Sequence, residues 1–216
     1  MKPLGIFGGT FDPIHFGHLR TAFELREVLG IDEMRFVPAG SPPHRDTPLA
    51  DARLRLALVE AAIADQPGFA LDDREVHRAG PSYMVLTLRE LRAEFPTRPL
   101  CLVLGMDAFL GLPQWHEWRE LPTLAHLVVA HRPGWALPVE GPLGGLLAGR
   151  RTARVADLHD TPAGRILVHP VTQLEIASTD LRSLLAAGQD PRYLVPETVR
   201  TILRETGCYT RSTATR

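Results

Sequence analysis

The stretch LGIFGGTFDPIHFGHLRTAFELREVLG, residues 4–30, decides how the chain is read. Leu4, Gly5, Ile6 and Phe7 form a short apolar run that predicts a buried strand. Leu19, Ala22, Phe23 and Val28 have the spacing of one helix face, and Gly30 is placed to stop that helix. Between them stands GGTFDPIHFGH, residues 8–18. Strand, glycine turn and helix start leave free backbone N–H groups and the positive end of a helix around one point, an arrangement suited to an anion. Gly8 and Gly9 have no side chains, so a phosphate can approach the backbone closely. His15 and His18 project to one side if both lie in the first helical turn. Two imidazoles beside such a turn point to phosphoryl chemistry; the bland alternative is a routine turn with unrelated histidines.

Outward from this unit, apolar runs and helical stripes alternate. Strands are expected at 34–37, 69–71, 100–104, 126–130 and 166–168. Helical stripes run through Leu54, Ala57, Leu58, Ala61 and Ala62, then Val85, Leu88, Leu91 and Phe95. Two more follow: Leu181, Leu184 and Leu185, stopped near Gly188, and Val199, Ile202 and Leu203, ending at Gly207. The fold class is therefore α/β: a Rossmann-like, doubly wound, mainly parallel sheet with helices on both faces, in a single domain. Residues 1–209 are assigned to it. Residues 133–165, rich in Gly and Pro, are expected as a loop-rich surface excursion with a short helix near 143–147. Residues 210–216 are expected to be a polar, disordered tail. Ligands of such sheets bind beyond the C-terminal strand ends.

Composition narrows the function. The 216 residues suit one large domain, and a formal net charge of -1 calls for no nucleic-acid partner. Cys101 and Cys208 form no metal-binding pattern, and Cys101 reads as a small core residue. No apolar run approaches the ~20 residues that span a membrane, and no signal segment opens the chain. The expected location is cytoplasmic. The oligomeric state stays open, a homo-oligomer included.

Three further stretches carry chemistry. In PAGSPPHR, residues 38–45, two prolines stiffen a loop that presents His44 and Arg45, either to an anion or simply to solvent. In GMDAFLGLPQW, residues 105–115, Gly105 and Asp107 follow a strand, where a carboxylate can accept from both hydroxyls of a ribose or cap a helix. Trp115 offers a flat face for a pyridine ring, whereas Trp118 is expected in the core. In IASTDLR, residues 176–182, Ser178 and Thr179 stand where N-caps stand, and Arg182 points back from one turn in.

Residues 10–18 resemble the T-F-D-P-x-H-x-G-H signature of adenylyltransferases that join a mononucleotide to ATP. The P-P-H-R loop, the Gly-x-Asp and the I-A-S-T-D-L-R stretch are similar to further motifs of the bacterial nicotinate mononucleotide adenylyltransferases, in the same order. The resemblance implies that ATP and nicotinate mononucleotide give deamido-NAD and pyrophosphate, a step of NAD synthesis. It implies His15, His18 and Arg182 as catalytic. It implies Gly8, Gly9, Thr10, Phe11, His44, Arg45, Gly105, Asp107, Ser178 and Thr179 around ATP and its phosphates. Nicotinate would be held by Trp115 and by backbone N–H groups of Met84 and His116. Mg2+ would arrive with ATP, with no dedicated protein ligands.

One stretch departs from the family pattern. Met84 and Leu86 stand where S-Y-T-x-D-T has Thr and Asp, which bears on substrate choice. Other readings fit less well. Pantetheine-phosphate adenylyltransferases share the first motif but lack Leu-Pro-Gln-Trp. A class I aminoacyl-tRNA synthetase fragment would carry a Lys-rich second signature. A non-catalytic nucleotide sensor would not need the histidine pair. An NAD-dependent oxidoreductase would show G-x-G-x-x-G after the first strand.

Overall fold

The computed structural model describes residues 1–43, 47–131 and 137–210. His44, Arg45 and the tail 211–216 lie outside the described residues. The strands are β1 (Leu4–Gly9), β2 (Glu33–Pro38), β3 (Phe69–Leu71), β4 (Leu100–Gly105), β5 (His126–His131), β6 (Arg151–Thr152) and β7 (Ile166–Pro170). The helices are α1 (Phe16–Leu29), α2 (Ala52–Ile63), α3 (Arg74–His77), α4 (Met84–Glu94), α5 (Met106–Leu110), α6 (Leu121–Leu124), α7 (Gly141–Arg150), α8 (Asp157–Asp160), α9 (Ser178–Ala186) and α10 (Glu197–Thr206).

All seven strands form one parallel sheet in the order β3-β2-β1-β4-β5-β7-β6. Side chains alternate across it, as period-2 backbone requires. Along β4, Leu100, Leu102 and Leu104 enter one core with Val85, Leu88 and Leu91 of α4. Cys101 and Val103 enter the other, with Ala22, Leu25 and Leu29 of α1 and Leu181 and Leu185 of α9. Both faces are thus covered, which is why the strands read as continuous apolar runs. From β1 the chain builds outward through β2 and β3, then returns to the other side of β1 with β4. The switch point lies between β1 and β4, where doubly wound sheets open a crevice at their C-terminal edge.

Two expectations are corrected here. Phe23 and Val28 do not belong to the buried face of α1: they are exposed, and Ala22, Leu25 and Leu29 carry the packing. The helix does stop at Gly30, in the left-handed conformation with φ 61°. Of the segment 133–165, the described residues 137–165 are more regular than a loop-rich excursion. Leu143 and Leu147 of α7 and Leu158 of α8 are buried, and β6 extends the sheet along β7. The short helix expected near 143–147 is α7, longer than read. Trp118 and Cys101 are in the core as expected.

His126, at the start of β5, is fully buried, and both its ring nitrogens are used. The N–H of Arg165 donates to Nδ1 at 3.0 Å, so Nε2 carries the proton and donates to the Thr161 carbonyl at 2.8 Å. Burial, the dominant cause, holds the ring below its ordinary pKa. The unfolded chain therefore binds this proton more readily than the folded one. The stability it confers is complete above about pH 6.5 and drains as pH falls below that value. Urea midpoints at pH 7.5 and 5.5 are expected to differ less in His126→Gln than in the parent. An equal drop in both proteins would reject this role.

Candidate active site

The glycine turn ends β1 and feeds α1 through a buried loop. Asp12 anchors that loop: its Oδ1 accepts from the N–H of Ala50 at 3.1 Å and from the Tyr209 hydroxyl at 2.6 Å. Its Oδ2 accepts from the N–H of Leu49 at 3.1 Å. Burial, and then the bond to Asp12, raise the Tyr209 phenol well above its usual range. Phe11 adopts φ 49°, and its ring is buried against Phe7, Phe36 and His18. The Phe11 side chain is thus a core group, 2% exposed.

His15 is the N-cap of α1 and is buried, while His18 is half-buried in the first turn. Their rings stack, with centroids 3.7 Å apart. Gly17 makes this possible: a Cβ there would lie 2.9 Å from His15 Nδ1. The expectation that the two imidazoles share one side holds. α9 docks on the same loop. Arg182 Nη1 donates to the Asp12 carbonyl at 2.9 Å, and Nη2 to the Thr179 hydroxyl at 3.3 Å. Ser178 Oγ donates to the Pro13 carbonyl at 3.0 Å. Ser178 and Thr179 are not caps, which is a correction: Ala177 is the N-cap and both sit in the first turn. The first turn of α9, Arg182 and the histidine pair therefore border one loop.

A second group lines a cavity of about 310 Å³ at the switch point. Gly8, Gly9 and Thr10 form one wall, Gly105 and Asp107 another, and Met84, Trp115 and His116 a third. Met84 lies over Gly8, where a side chain would collide with its methyl group. The His116 ring stacks on Tyr83 at 4.2 Å. Asp107 is exposed in the first turn of α5, with Oδ1 over Gly105. Gly105, not Asp107, is the N-cap. The cavity wall, as described, does not include His15, His18, Arg182, Ser178 or Thr179. The glycine turn joins the two groups: Phe7, in the cavity wall, packs edge-on to the His18 ring.

Two residues that the sequence reading passed over frame this arrangement. Arg55 on α2 is 1% exposed and donates to three backbone carbonyls: Ala50 at 3.2 Å, Thr10 at 2.7 Å and Gly40 at 3.1 Å. It ties the glycine turn to the 38–43 loop. Burial lowers its pKa, but a guanidinium stays charged. Glu75 on α3 is a buried carboxyl in the cavity wall. An Arg within an apolar helical stripe was the available signal for the first; the isolated Glu75 gave none. Among the described residues, no cluster of three or more His, Cys, Asp or Glu is placed to hold a metal ion. Nor is any helix there long and apolar enough to cross a membrane.

Fold and site together define a doubly wound α/β protein with a crevice at the switch point of its sheet, where such folds bind nucleotides. Residues 6–184 match the family model described as Cytidylyltransferase-like. An Aeromonas hydrophila protein named "Probable nicotinate-nucleotide adenylyltransferase" is 50% identical over 207 residues, 96% of this chain and 97% of that protein. A Halorhodospira halophila protein of the same name is 49% identical over 213 residues, 97% and 96% of the two chains. The fold is shared with Plasmodium falciparum nicotinic acid mononucleotide adenylyltransferase complexed with NaAD: TM-score 0.70, 17% identity, 97% and 98% coverage. The chain belongs to the cytidylyltransferase-like nucleotidyltransferases and, within them, to the nicotinate-nucleotide adenylyltransferase family.

Proposed function

We propose that this enzyme transfers the adenylyl group of ATP to nicotinate mononucleotide, giving deamido-NAD and pyrophosphate. The observation that carries the proposal is the glycine turn shared by two groups: the His15–His18 pair with Arg182, and the cavity bearing Trp115, Met84 and Asp107. A triphosphate and a pyridine nucleotide can meet across it.

The nucleophile is a phosphate oxygen of the mononucleotide, already anionic at neutral pH, so the step needs no general base. A bond forms from that oxygen to the α-phosphorus as the bond to the β-phosphate oxygen breaks, and pyrophosphate leaves with the electron pair. The obstacle is repulsion between two anions. Catalysis is then positioning plus charge neutralisation. His18 donates to the α-phosphate and His15 supports it. Arg182 and the N-terminal end of α9 hold the leaving pyrophosphate; two of the five guanidinium N–H donors are spent on Asp12 and Thr179. Asp107 takes the adenosine ribose. Mg2+ enters as MgATP, a substrate rather than a resident ion. His44 and Arg45, on the loop that Arg55 secures at Gly40, are assigned to the phosphates by the sequence pattern alone.

For the pyridine end, the N-terminus of α4 at Met84 opens into the cavity. Its N–H groups suit a carboxylate; an amide turns its own N–H₂ toward at least one of them. Met84 in place of a hydroxyl residue leaves these backbone donors in place. Pyrophosphate release from ATP and Mg2+ is expected to favour nicotinate over nicotinamide mononucleotide by more than about tenfold in kcat/KM. Equal use of the two, or no release with either, would overturn the reading.

A further inference from the structure

A buried carboxyl in the wall of a pocket for an anionic substrate calls for a reason. Glu75 is 3% exposed and lines the cavity beside Ser82, Tyr83 and Met84. Its Oε1 accepts from the Thr87 hydroxyl of α4 at 2.5 Å, and the Ser82 hydroxyl lies close enough to favour its charged form. The same Ser82 oxygen accepts from the N–H of Ser41 at 3.0 Å, and the N–H of Ser82 donates to the Ser41 carbonyl at 2.8 Å. Arg78 donates to Thr87 Oγ1 at 3.1 Å and pairs with Glu90, so a cation flanks the cluster. The Glu75 backbone packs on Gly40, the glycine whose carbonyl Arg55 holds. Glu75 thus joins both ends of the cavity mouth: its carboxyl holds Thr87 of α4, and its backbone packs on the 38–43 loop.

We infer that Glu75 is a positioning residue for the pyridine mononucleotide, holding the start of α4 where the Met84 N–H meets the substrate's carboxylate. This rests on the reading of the cavity given above. Glu75 does not reach the substrate carboxylate as a donor. It works by holding the Thr87 hydroxyl and so fixing the first turns of α4, whose dipole favours the anion. Burial raises its pKa, while the Thr87 hydroxyl, Arg78 and the nearby Ser82 hydroxyl act the other way.

The test is steady-state kinetics of the full chain, with ATP and mononucleotide varied separately. Turnover of nicotinate mononucleotide by the parent protein establishes the underlying reading first. Glu75→Ala is expected to raise KM for the mononucleotide about tenfold, with KM for ATP and kcat within about twofold. Glu75→Gln, which keeps one acceptor and the side-chain volume, recovers most of that loss. Ser82→Ala raises the same KM, and the Glu75→Gln/Ser82→Ala pair is less than additive, because each change breaks the same link. Should Glu75→Ala fail to fold, the Gln and Ser82 variants decide. An unchanged mononucleotide KM in Glu75→Ala, or in Ser82→Ala should the former not fold, or a loss spread equally over both substrates, overturns the inference while leaving the reaction in place.

Discussion

His18→Ala lowers kcat by about 10²–10³-fold while the protein stays folded, the usual cost of removing one donor from a developing anion. His18 sits in the first turn of α1, half-buried, with its ring on Phe11 and stacked on His15. Truncation removes the imidazole at the helix N-terminus without disturbing Asp12, whose bonds to Leu49, Ala50 and Tyr209 hold the loop. Circular dichroism and thermal melting should match the parent. A purified variant within about tenfold of parent kcat would remove His18 from the chemistry.

Arg55→Ala should cost at least about 3 kcal/mol, because three buried carbonyls lose a charged donor. For a chain of this size that is a fall of roughly 6–12 °C in the melting temperature. Arg55, on α2 and away from any motif, is the bond between the Thr10 turn and the Gly40 loop. Arg55→Lys should recover part of the loss, since an ammonium can serve some of the three carbonyls but lacks the planar fork. A melting temperature within about 2 °C of the parent in Arg55→Ala would show that the carbonyls find other donors.

The contrast between these residues explains how much was legible beforehand. The strand–turn–helix unit and the sheet around it were readable because the parallel strands are buried on both faces and show as uninterrupted apolar runs. Cys101 within Leu100–Gly105 and Gly30 after α1 were read correctly for the same local reasons. Local rules failed where a contact is made across the sequence. Ser178 and Thr179 look like caps, yet Ser178 spends its hydroxyl on Pro13, 165 residues away. Asp12 belongs to the motif, but its partners Ala50 and Tyr209 are invisible from it. Phe11 reads as part of a phosphate turn, and its ring fills the core. In α7, the short helix expected near 143–147 extends over Gly141–Arg150 despite Gly144, Gly145 and Gly149, with Leu143 and Leu147 buried.

The histidine pair and Arg182 were linked in the sequence only by resemblance. The structure brings their loops together through the Asp12 and Pro13 carbonyls. Whether the two substrates meet there is best tested by crystals of the protein with nicotinate mononucleotide and a non-hydrolysable ATP analogue. The account predicts the α-phosphate at His18, the outer phosphates at Arg182 and the start of α9, and the pyridine ring at Trp115. Nucleotides bound away from the glycine turn, or phosphates that avoid both histidines, would contradict it.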